Sequence, residues 1–398
     1  MNIATTLDKA SETESPVLEN IRKILPDVAA QSQAGEEQGR VTPDVIGKLR
    51  EAGMFRMLLP TELGGHELSL AQVCKVIEEL SVADGAAGWT AMVQFAAEFS
   101  LAIGVPGLVE LMLTDDSDLI MRGSLTPGGT AVAGEGGYIV SGRWAFGSGP
   151  FDPDWVQVAA IVQENGEPVL KADGTPKLIT VVLRGDQVDF IDNWDSVGMR
   201  GTDSCDFTIE EQFVPFSQAG DLAAWFAVAP EPCIDLPLFR IPFMAAVGPT
   251  HGAVVLGIAR GAIEDLCQIA KTKRRVYGPR ITVAEDHVFQ HKLGELASRL
   301  TGLSALNDKV ITDLVAMQQQ GQPYTQADVV RFSAWTGFIH EGCVAIANDC
   351  FALAGSASCY NKYRLQQRWR DVRVAAQHVA GSALFYEPYG AALVGVAR

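Results

Sequence analysis

Two aromatic rings and a hydroxyl group alternate along one short, glycine-rich segment of this chain. Trp144, Phe146 and Ser148 belong to residues 141–149, which read Ser-Gly-Arg-Trp-Ala-Phe-Gly-Ser-Gly. Glycine carries no Cβ, so the backbone here can lie close to a bound molecule. Two rings and one hydroxyl on such a backbone suit a flat, redox-active ring that needs one polar contact. The alternative is that Ser148 is only a turn hydroxyl.

The other groups that could do chemistry do not have the spacing of a metal site. His287 and His291 are four residues apart, as in a helical metal-binding pair, but no Glu lies between them and no third ligand is evident. We therefore predict that both lie on a solvated helix face. The seven cysteines contain no Cys-x-x-Cys pair, which argues against a zinc site or a disulfide framework. Free thiols in a reducing compartment fit better.

Charge and composition argue against several classes of partner. The chain has 398 residues and a formal net charge of -17, which disfavours nucleic acid or an anionic membrane as the main partner. Residues 1–15 are polar and lack the apolar core of a signal peptide. No apolar run approaches the length needed to span a bilayer. These features predict a cytoplasmic protein that does not bind membranes.

Changes in sequence periodicity predict three domains. Residues 1–120 read as helices, and Thr42-Pro43 marks a helix start because Thr is a good cap and Pro fits the first helical position. Residues 121–228 contain short β-rich runs separated by Asn-Gly and Asp-Gly turns, which predict an antiparallel β-domain. Residues 229–398 return to helical spacing, and a leucine-rich stripe over residues 293–314 predicts a long helix in a bundle.

Four further segments resemble motifs of the acyl-CoA dehydrogenase superfamily. They are a Pro-x-x-x-Gly-Gly turn, a Gly-Met-Arg-Gly-Thr-x-Ser loop, an Arg-rich helix end and a segment ending in Arg-Asp, at residues 60–65, 198–204, 274–278 and 363–371. With residues 141–149, they make the chain most similar to the two-component (group D) flavin-dependent monooxygenase branch. The resemblance implies a mainly α fold: an N-terminal helical domain, a central antiparallel, barrel-like β-domain and a C-terminal four-helix bundle. It also implies that the Arg-Asp pair is structural.

The resemblance implies a reduced flavin, FMN or FAD, with O₂ as co-substrate. A separate NAD(P)H-flavin reductase is expected to supply it, because the chain has no Gly-x-Gly-x-x-Gly dinucleotide fingerprint. Trp144, Phe146 and Ser148 would contact the flavin. Ser148 would donate or accept a hydrogen bond at N5 and so prolong the life of a C4a-hydroperoxyflavin. Arg274 would reach the flavin of a neighbouring subunit in a homotetramer, or would only complement a helix dipole.

A histidine takes the place of the base that acyl-CoA dehydrogenases require. Such enzymes carry a carboxylate shortly after the Arg-Asp motif, but residues 375–381 contain His378 and no Asp or Glu. The family's second base position lies in residues 243–252, which also contain no Asp or Glu. We therefore predict a monooxygenase in which His378 exchanges protons with the substrate. The alternative is that His378 is a core histidine.

The predicted substrate is a small aromatic or heteroaromatic compound, either indole-type or phenolic. The resemblance places Ser124, Trp89 and His378 in the substrate pocket, although Ser124 and Trp89 are equally well interpreted as structural residues. Gln94 stands where some relatives carry a histidine, which argues against recognition of a phenolate of the hydroxyphenylacetate type.

Two other functions compete with this prediction. The first is a flavin-dependent acyl-CoA dehydrogenase or oxidase with a non-standard base. The second is a helical interaction scaffold that has lost its flavin. Hydroxylated product formed from reduced flavin and O₂ would support the monooxygenase. Reduction of bound flavin by an acyl-CoA thioester would support the dehydrogenase, and failure to bind reduced flavin would support the scaffold.

Overall fold

The computed structural model, which describes residues 14–107, 119–275 and 281–396, begins with four helices. Each helix starts after a residue whose side chain accepts a hydrogen bond from a backbone N–H of the first turn. These caps and their helices are Ser15 and α1 (Pro16–Gln38), Thr42 and α2 (Pro43–Glu51), Ser69 and α3 (Leu70–Ala83), and Asp84 and α4 (Gly85–Gly104). The helix start predicted at Thr42-Pro43 is confirmed.

Eight strands form one mixed sheet in the middle of the chain. They are β1 (Met121–Gly134), β2 (Gly137–Gly147), β3 (Trp155–Glu164), β4 (Glu167–Pro168), β5 (Leu178–Arg184), β6 (Asp189–Ile191), β7 (Cys205–Pro215) and β8 (Ala219–Asp221). Their order is β6-β7-β2-β1-β3-β5-β8, and β4 pairs with β3.

One strand pair departs from the predicted antiparallel arrangement. β1 and β2 form a hairpin, so the chain returns to the end of the sheet at which β1 began. β3 starts from that end on the free side of β1 and therefore runs parallel to it. The remaining pairs in the described sheet are antiparallel, as the Asn-Gly and Asp-Gly turns predicted.

The sheet has an apolar core of its own, and Trp144 lies inside it. The Trp144 ring is fully buried and stacks on Phe207, with 5.8 Å between ring centroids and 12° between planes. Its indole N–H donates to the carbonyl oxygen of Ala159 at 2.7 Å. Every polar need of this side chain is thus met within the sheet.

Five helices form the C-terminal part. They are α5 (Phe243–Thr272), α6 (His287–Gln319), α7 (Gln326–Ala354), α8 (Leu365–Ala375) and α9 (Tyr386–Leu393). The two long helices α5 and α7 pack against each other and against α6 and α8, and α5 also packs on α3. Leu296, Leu300, Leu303 and Leu314 are buried along α6, so the predicted leucine stripe does form a bundle helix.

One helix in the described part of the chain is long and apolar enough to cross a membrane by length and composition alone. The segment is Gln326–Cys359. The sequence had been expected to contain no apolar run of this length. α7, which makes up most of it, packs against α5, α6 and α8. Its fully buried residues include Phe332, Ile339 and Cys343, so it serves here as a core helix of the bundle.

Candidate active site

Three side-chain hydroxyls form a continuous hydrogen-bonded chain at the end of β2. Ser148 Oγ lies 2.6 Å from Ser204 Oγ, which lies 2.7 Å from Thr202 Oγ1. Thr202 Oγ1 donates to the carbonyl oxygen of Met199 at 2.8 Å. We call these three residues the hydroxyl chain, and all three are buried. It joins two motifs singled out in the sequence, residues 141–149 and 198–204.

The backbone around the hydroxyl chain is strained. Phe146, Met199 and Asp203 have φ angles of 59°, 53° and 46°, in the left-handed region that favours glycine. Such residues cluster at binding and catalytic sites, where surrounding contacts over-determine them. The Phe146 ring is 65% exposed and lies 6.2 Å from the Trp194 ring. A strained turn therefore presents an aromatic face next to Ser148.

A buried arginine holds the two loops of the hydroxyl chain together. Arg122 Nε donates to the carbonyl oxygen of Gly147 at 2.8 Å, and its Nη1 lies 3.0 Å from Asp203 Oδ2. Its Nη2 also donates to the Asp203 carbonyl oxygen and to Cys205 Sγ. The Arg122 side chain is fully buried, so this ion pair is shielded from solvent. Arg122 thus fixes the residues that directly precede Ser148 and Ser204.

Asp371 ties the same loop to the C-terminal helices. Asp371, on α8, accepts a hydrogen bond from the Met199 N–H at 2.6 Å through Oδ1. Burial is the main cause that raises the pKa of Asp371 to about 7. The neighbouring Arg370 pairs with Glu36 and donates to the carbonyl oxygen of Val197 at 2.9 Å. The Arg-Asp pair is structural, as expected, and it orients the segment that leads to His378.

Two histidines from distant parts of the chain contact Trp89, and a third lies beside one of them. The His251 ring, on α5, lies 4.3 Å from the His378 ring with 19° between planes, and 6.4 Å from the His340 ring on α7. Trp89, on α4, stands edge-on to His251 at 5.5 Å and to His378 at 5.7 Å. We call these four residues the histidine cluster. The structure therefore brings the predicted residues Trp89 and His378 together and adds two further imidazoles.

The imidazoles of this cluster are uncharged at neutral pH. His251 and His340 are 3% and 1% exposed, and burial lowers the pKa of His251 well below 6.5 and that of His340 to about 3. His378 keeps accessible surface, but the protein packed around its ring also lowers its pKa from 6.5. His378 Nδ1 accepts a hydrogen bond from the Ala380 N–H at 3.2 Å. The neutral ring therefore carries its proton on Nε2.

The buried carboxyls of the described residues are bound away from the histidine cluster. The titratable groups that act on the pKa of His251 are His378 and His340. Burial raises the pKa of four carboxyls, but each is engaged elsewhere: Glu264 lies near Arg368 and Arg260, and the other three form hydrogen bonds, Asp84 with Ser32, Glu98 with Gln94 and Leu58, and Asp371 with Met199. A dehydrogenase would need a carboxylate that faces the position of His378. None of these carboxyls does so.

Gln94 connects α4, which carries Trp89, with β1, which carries Ser124. Its Nε2 donates to the carbonyl oxygen of Leu119 at 2.6 Å, and its Oε1 accepts from the Met121 N–H at 3.1 Å. Both contacts fix α4 to the start of β1. The residue that departs from the histidine of some relatives thus has a structural role, in joining the histidine cluster to the sheet.

The remaining predicted site residues lie in different surroundings. Ser124 is buried in β1, next to Gly123, whose N–H donates to the Ser148 carbonyl oxygen at 3.3 Å. Trp144 is enclosed in the sheet core, so its position gives no support to a cofactor contact. Arg274 is exposed beyond the end of α5 and forms a backbone bridge with Thr282. Residues 276–278 of its motif lie outside the described residues, and the ligand roles of Ser124, Trp144 and Arg274 stay predictions.

Three residues of the site were missed by sequence reasoning. His251 and His340 each lie in a largely apolar helical segment, although Glu341 follows His340, and a polar ring in such a segment is a signal of a buried polar group. His251 even lies in the window 243–252 that was searched for carboxylates. Arg122 gives a weaker signal, because a single arginine at the start of a strand is ordinarily solvent-exposed.

The described residues around these groups do not include a cluster that could hold a metal ion. The structure places His287 and His291 on the exposed side of α6, in accord with the predicted solvated face. Among residues 14–107, 119–275 and 281–396, no group of three or more His, Cys, Asp or Glu residues is arranged to hold a metal ion.

The residues around Ser148 fit a flavin. Phe146 offers an exposed aromatic face, Ser148 offers a buried hydroxyl, and the strained backbone between them is held by Arg122. A planar heterocycle with one polar atom at its edge matches this set of groups.

Comparisons with known proteins agree with this arrangement. Residues 11–104 match the family model "Acyl-CoA dehydrogenase, N-terminal domain", and residues 249–383 match "Acyl-CoA dehydrogenase, C-terminal domain". The chain is 29% identical over 377 residues to an indole-3-acetate monooxygenase of Pseudomonas putida, covering 94% of this chain and 92% of that one.

A second relative is also named as a monooxygenase component, and a solved structure shares the fold. The chain is 23% identical over 373 residues to the flavin-dependent monooxygenase oxygenase subunit HsaA of Rhodococcus jostii, covering 91% and 94% of the two chains. The structure of XiaF from a Streptomyces species in complex with FADH2 and glycerol superimposes with a TM-score of 0.86 at 20% identity, covering 96% and 95%. This chain belongs to the acyl-CoA dehydrogenase superfamily, in its two-component flavin-dependent monooxygenase branch.

Proposed function

We propose that the chain is the oxygenase component of a two-component system and hydroxylates a small aromatic or heteroaromatic substrate. Reduced FMN or FAD comes from a separate NAD(P)H-flavin reductase. One O₂ molecule supplies one oxygen atom to the product and one to water, while the flavin is oxidised. The single observation that carries this proposal is that neutral His378 faces Trp89 and His251, while the buried carboxyls are bound elsewhere.

Each group around the site has a proposed role. The bound flavin supplies the activation of O₂, which side chains alone cannot perform. Phe146 packs on the ring, Ser148 contacts its polar edge, and Arg274 reaches it from a neighbouring subunit. His378 holds a proton on Nε2, from which it can be donated to an oxygen atom of the substrate or product. The stacked His251 ring holds the His378 ring in place and excludes water from that face.

An unpaired indole N–H and an unpaired imidazole nitrogen favour a substrate that carries a polar oxygen group. Trp89 Nε1 and His251 Nδ1 are buried and have no hydrogen-bond partner among the described residues. A buried polar atom left unpaired costs about 1–3 kcal/mol, so a bound polar group that pairs with them is favoured. An indole-type acid combines a flat ring with such a group, and one relative is named for indole-3-acetate. Ser124 lies near Ser148 and is the proposed contact on the other side of the substrate.

The assembly and location are also proposals. The C-terminal segment exposes large apolar side chains, among them Leu384 and Val394 at 74% and 75%, and Phe338 on α7 is exposed as well. Burial of these side chains against further copies of the chain favours the expected homotetramer. The acidic surface and the seven free cysteines favour the cytoplasm. The domain boundaries at residues 120 and 228 are also proposed, because the periodicity of the sequence changes at these positions.

One experiment separates the proposal from its alternatives. Purified full-length chain is mixed with an NADH-dependent flavin reductase, FMN or FAD, and either indole-3-acetate, indole or 4-hydroxyphenylacetate. We expect substrate-dependent O₂ consumption and a product heavier by one oxygen. A parallel anaerobic sample with oxidised flavin and an acyl-CoA thioester should show no flavin reduction. Flavin reduction in that sample, with no hydroxylated product in the first, would favour the dehydrogenase.

A further inference from the structure

The hydroxyl chain contains a fixed direction of hydrogen bonding. Each hydroxyl carries one hydrogen atom to donate and two lone pairs to accept. The Met199 carbonyl oxygen can only accept, so the single hydrogen of Thr202 is used on it. The short contact between Thr202 and Ser204 must then be donated by Ser204, and the contact between Ser204 and Ser148 must be donated by Ser148.

We propose that Thr202 and Ser204 are positioning residues that make Ser148 Oγ a hydrogen-bond acceptor towards the bound flavin. The inference rests on the proposed function, in which Ser148 contacts N5 of the flavin. N5 carries a hydrogen in the reduced flavin and only a lone pair in the oxidised flavin. The hydroxyl chain therefore selects the reduced form and disfavours the oxidised one.

The surroundings prevent the chain from reversing. In the reversed direction, Thr202 Oγ1 and the Met199 carbonyl oxygen would lie 2.8 Å apart with no hydrogen between them. The Met199 carbonyl oxygen cannot turn away, because it also accepts from the Thr202 N–H at 3.1 Å and from Trp194 Nε1 at 3.0 Å. The preceding peptide is held as well, since Asp371 accepts from the Met199 N–H. Thr202 and Ser204 are 3% and 6% exposed, so water is a poor substitute for the lost partner.

The same contacts explain why this loop is strained. Met199 and Asp203, on either side of Thr202, adopt left-handed φ angles of 53° and 46°. Arg122 and Asp371 hold these two strained residues from opposite sides of the loop. The strain thus keeps the Met199 carbonyl aimed at Thr202, and this carbonyl sets the direction of the whole hydroxyl chain.

Binding of the two redox states of flavin tests the proposal without any turnover. Dissociation constants for oxidised FMN and for dithionite-reduced FMN, the latter under anaerobic conditions, are measured for the full chain and for Thr202→Val, Thr202→Ser and Ser204→Ala. Valine keeps the shape of threonine but has no hydroxyl, whereas serine keeps the hydroxyl and is the matched control. We expect the wild type and Thr202→Ser to prefer reduced FMN. The preference should fall about tenfold in Thr202→Val and Ser204→Ala, as for one lost hydrogen bond.

The outcomes separate this inference from the proposed function. An unchanged preference in both Thr202→Val and Ser204→Ala, or equal loss in Thr202→Ser, would overturn the inference even if the wild type forms hydroxylated product. Loss of preference in the predicted variants supports it whatever the substrate proves to be. If Thr202→Val does not fold, as judged by circular dichroism, Ser204→Ala alone decides, because it removes the acceptor of the Ser148 hydrogen.

Discussion

At the scale of single residues, chemistry depends on which atoms are free to donate or accept. His378 uses Nδ1 on a backbone N–H, so Nε2 is its functional atom. Its stacking partner His251 is buried and uncharged, and a second positive charge 4.3 Å away would be strongly unfavourable. The pair therefore accepts at most one proton, and His378, with the more accessible ring, is the one that takes part in exchange with the substrate.

Replacement of His378 by Asn tests this role. Asparagine keeps polar atoms near the backbone but cannot exchange protons near neutral pH. We expect product formation to fall by about 10²–10⁴-fold, the typical contribution of a proton-transfer group, while the dissociation constant of reduced flavin changes little. His287→Asn, the same change on the exposed side of α6, serves as control. Unchanged product formation in His378→Asn would remove the residue from the mechanism.

Replacement of Ser148 by Ala removes the polar contact at the flavin edge. We expect more of the reducing equivalents to leave as H₂O₂ and fewer to appear in hydroxylated product, because the contact that couples the two is lost. The ratio of H₂O₂ to product is measured with a coupled peroxidase assay and by chromatography. Ser298→Ala, an exposed serine of α6, is the control. An H₂O₂ fraction equal to that of the wild type would count against a role for Ser148.

At the scale of helices and strands, sequence reasoning was successful where a signal is local. The cap at Thr42, the leucine stripe of α6 and the position of His378 after the Arg-Asp motif are all read from neighbouring residues. The parallel pairing of β1 with β3 depends on which side of a hairpin the chain continues, and no local signal records it. The convergence of His251, from α5, with His378 is likewise a property of packing between distant segments.

The structure also changes the interpretation of one aromatic residue. Trp144 and Phe146 are two residues apart and would share one face of a regular strand. The register of β2 against β7 shifts between Trp144 and Gly147, and Phe146 has a left-handed φ angle of 59°, so the two side chains point in different directions. Trp144 faces the sheet core and Phe146 faces outward. The glycine-rich segment thus supplies one ring, rather than two, to the surface next to Ser148.

The ion pair between Arg122 and Asp203 should be essential for stability. Asp203→Asn retains a residue type that tolerates a left-handed φ angle but leaves the buried guanidinium without a counter-charge. We expect the free energy of unfolding to fall by about 3–5 kcal/mol in urea denaturation. Asp195→Asn removes the ion pair with Arg200, in which Asp195 is 94% exposed. We expect this substitution to change the free energy of unfolding by less than about 1 kcal/mol. Similar losses in the two variants would contradict the assigned role of Arg122.

Glu98 makes the helix α4 sensitive to pH. Burial raises the pKa of Glu98 to about 7, above the value of 4.5 of an exposed Glu. The folded chain therefore binds a proton that the unfolded chain has lost between these pH values, and stability falls as pH rises through about 7. Glu98→Gln cannot titrate, so its stability relative to wild type should increase by on the order of 3 kcal/mol between pH 4 and pH 8.

Urea denaturation at several pH values measures this difference. Glu62→Gln, on the exposed segment after Pro60, is the matched control and should run parallel to the wild type. The free energy of unfolding of Glu98→Gln could instead change with pH as that of the wild type does. Glu98 would then be ionised in the folded chain, and Gln94 would donate to a charged carboxylate.

At the scale of the whole molecule, the site is assembled where the three parts of the chain meet. The N-terminal helices supply Trp89, the sheet supplies Ser148, and the C-terminal helices supply His251 and His378. Gln94 joins the first part to the second, and Asp371 joins the third to the second. The candidate site residues therefore come from all three parts of the chain.

Labelling of O₂ shows whether the oxygen atom in the product comes from O₂ or from water. The full chain is supplied with reductase-generated reduced flavin, indole-3-acetate and isotopically labelled O₂ in unlabelled water. We expect one labelled oxygen atom per product molecule, and loss of this product in His378→Asn. Oxygen derived from water, or no product while an acyl-CoA thioester reduces bound flavin without O₂, would contradict this expectation.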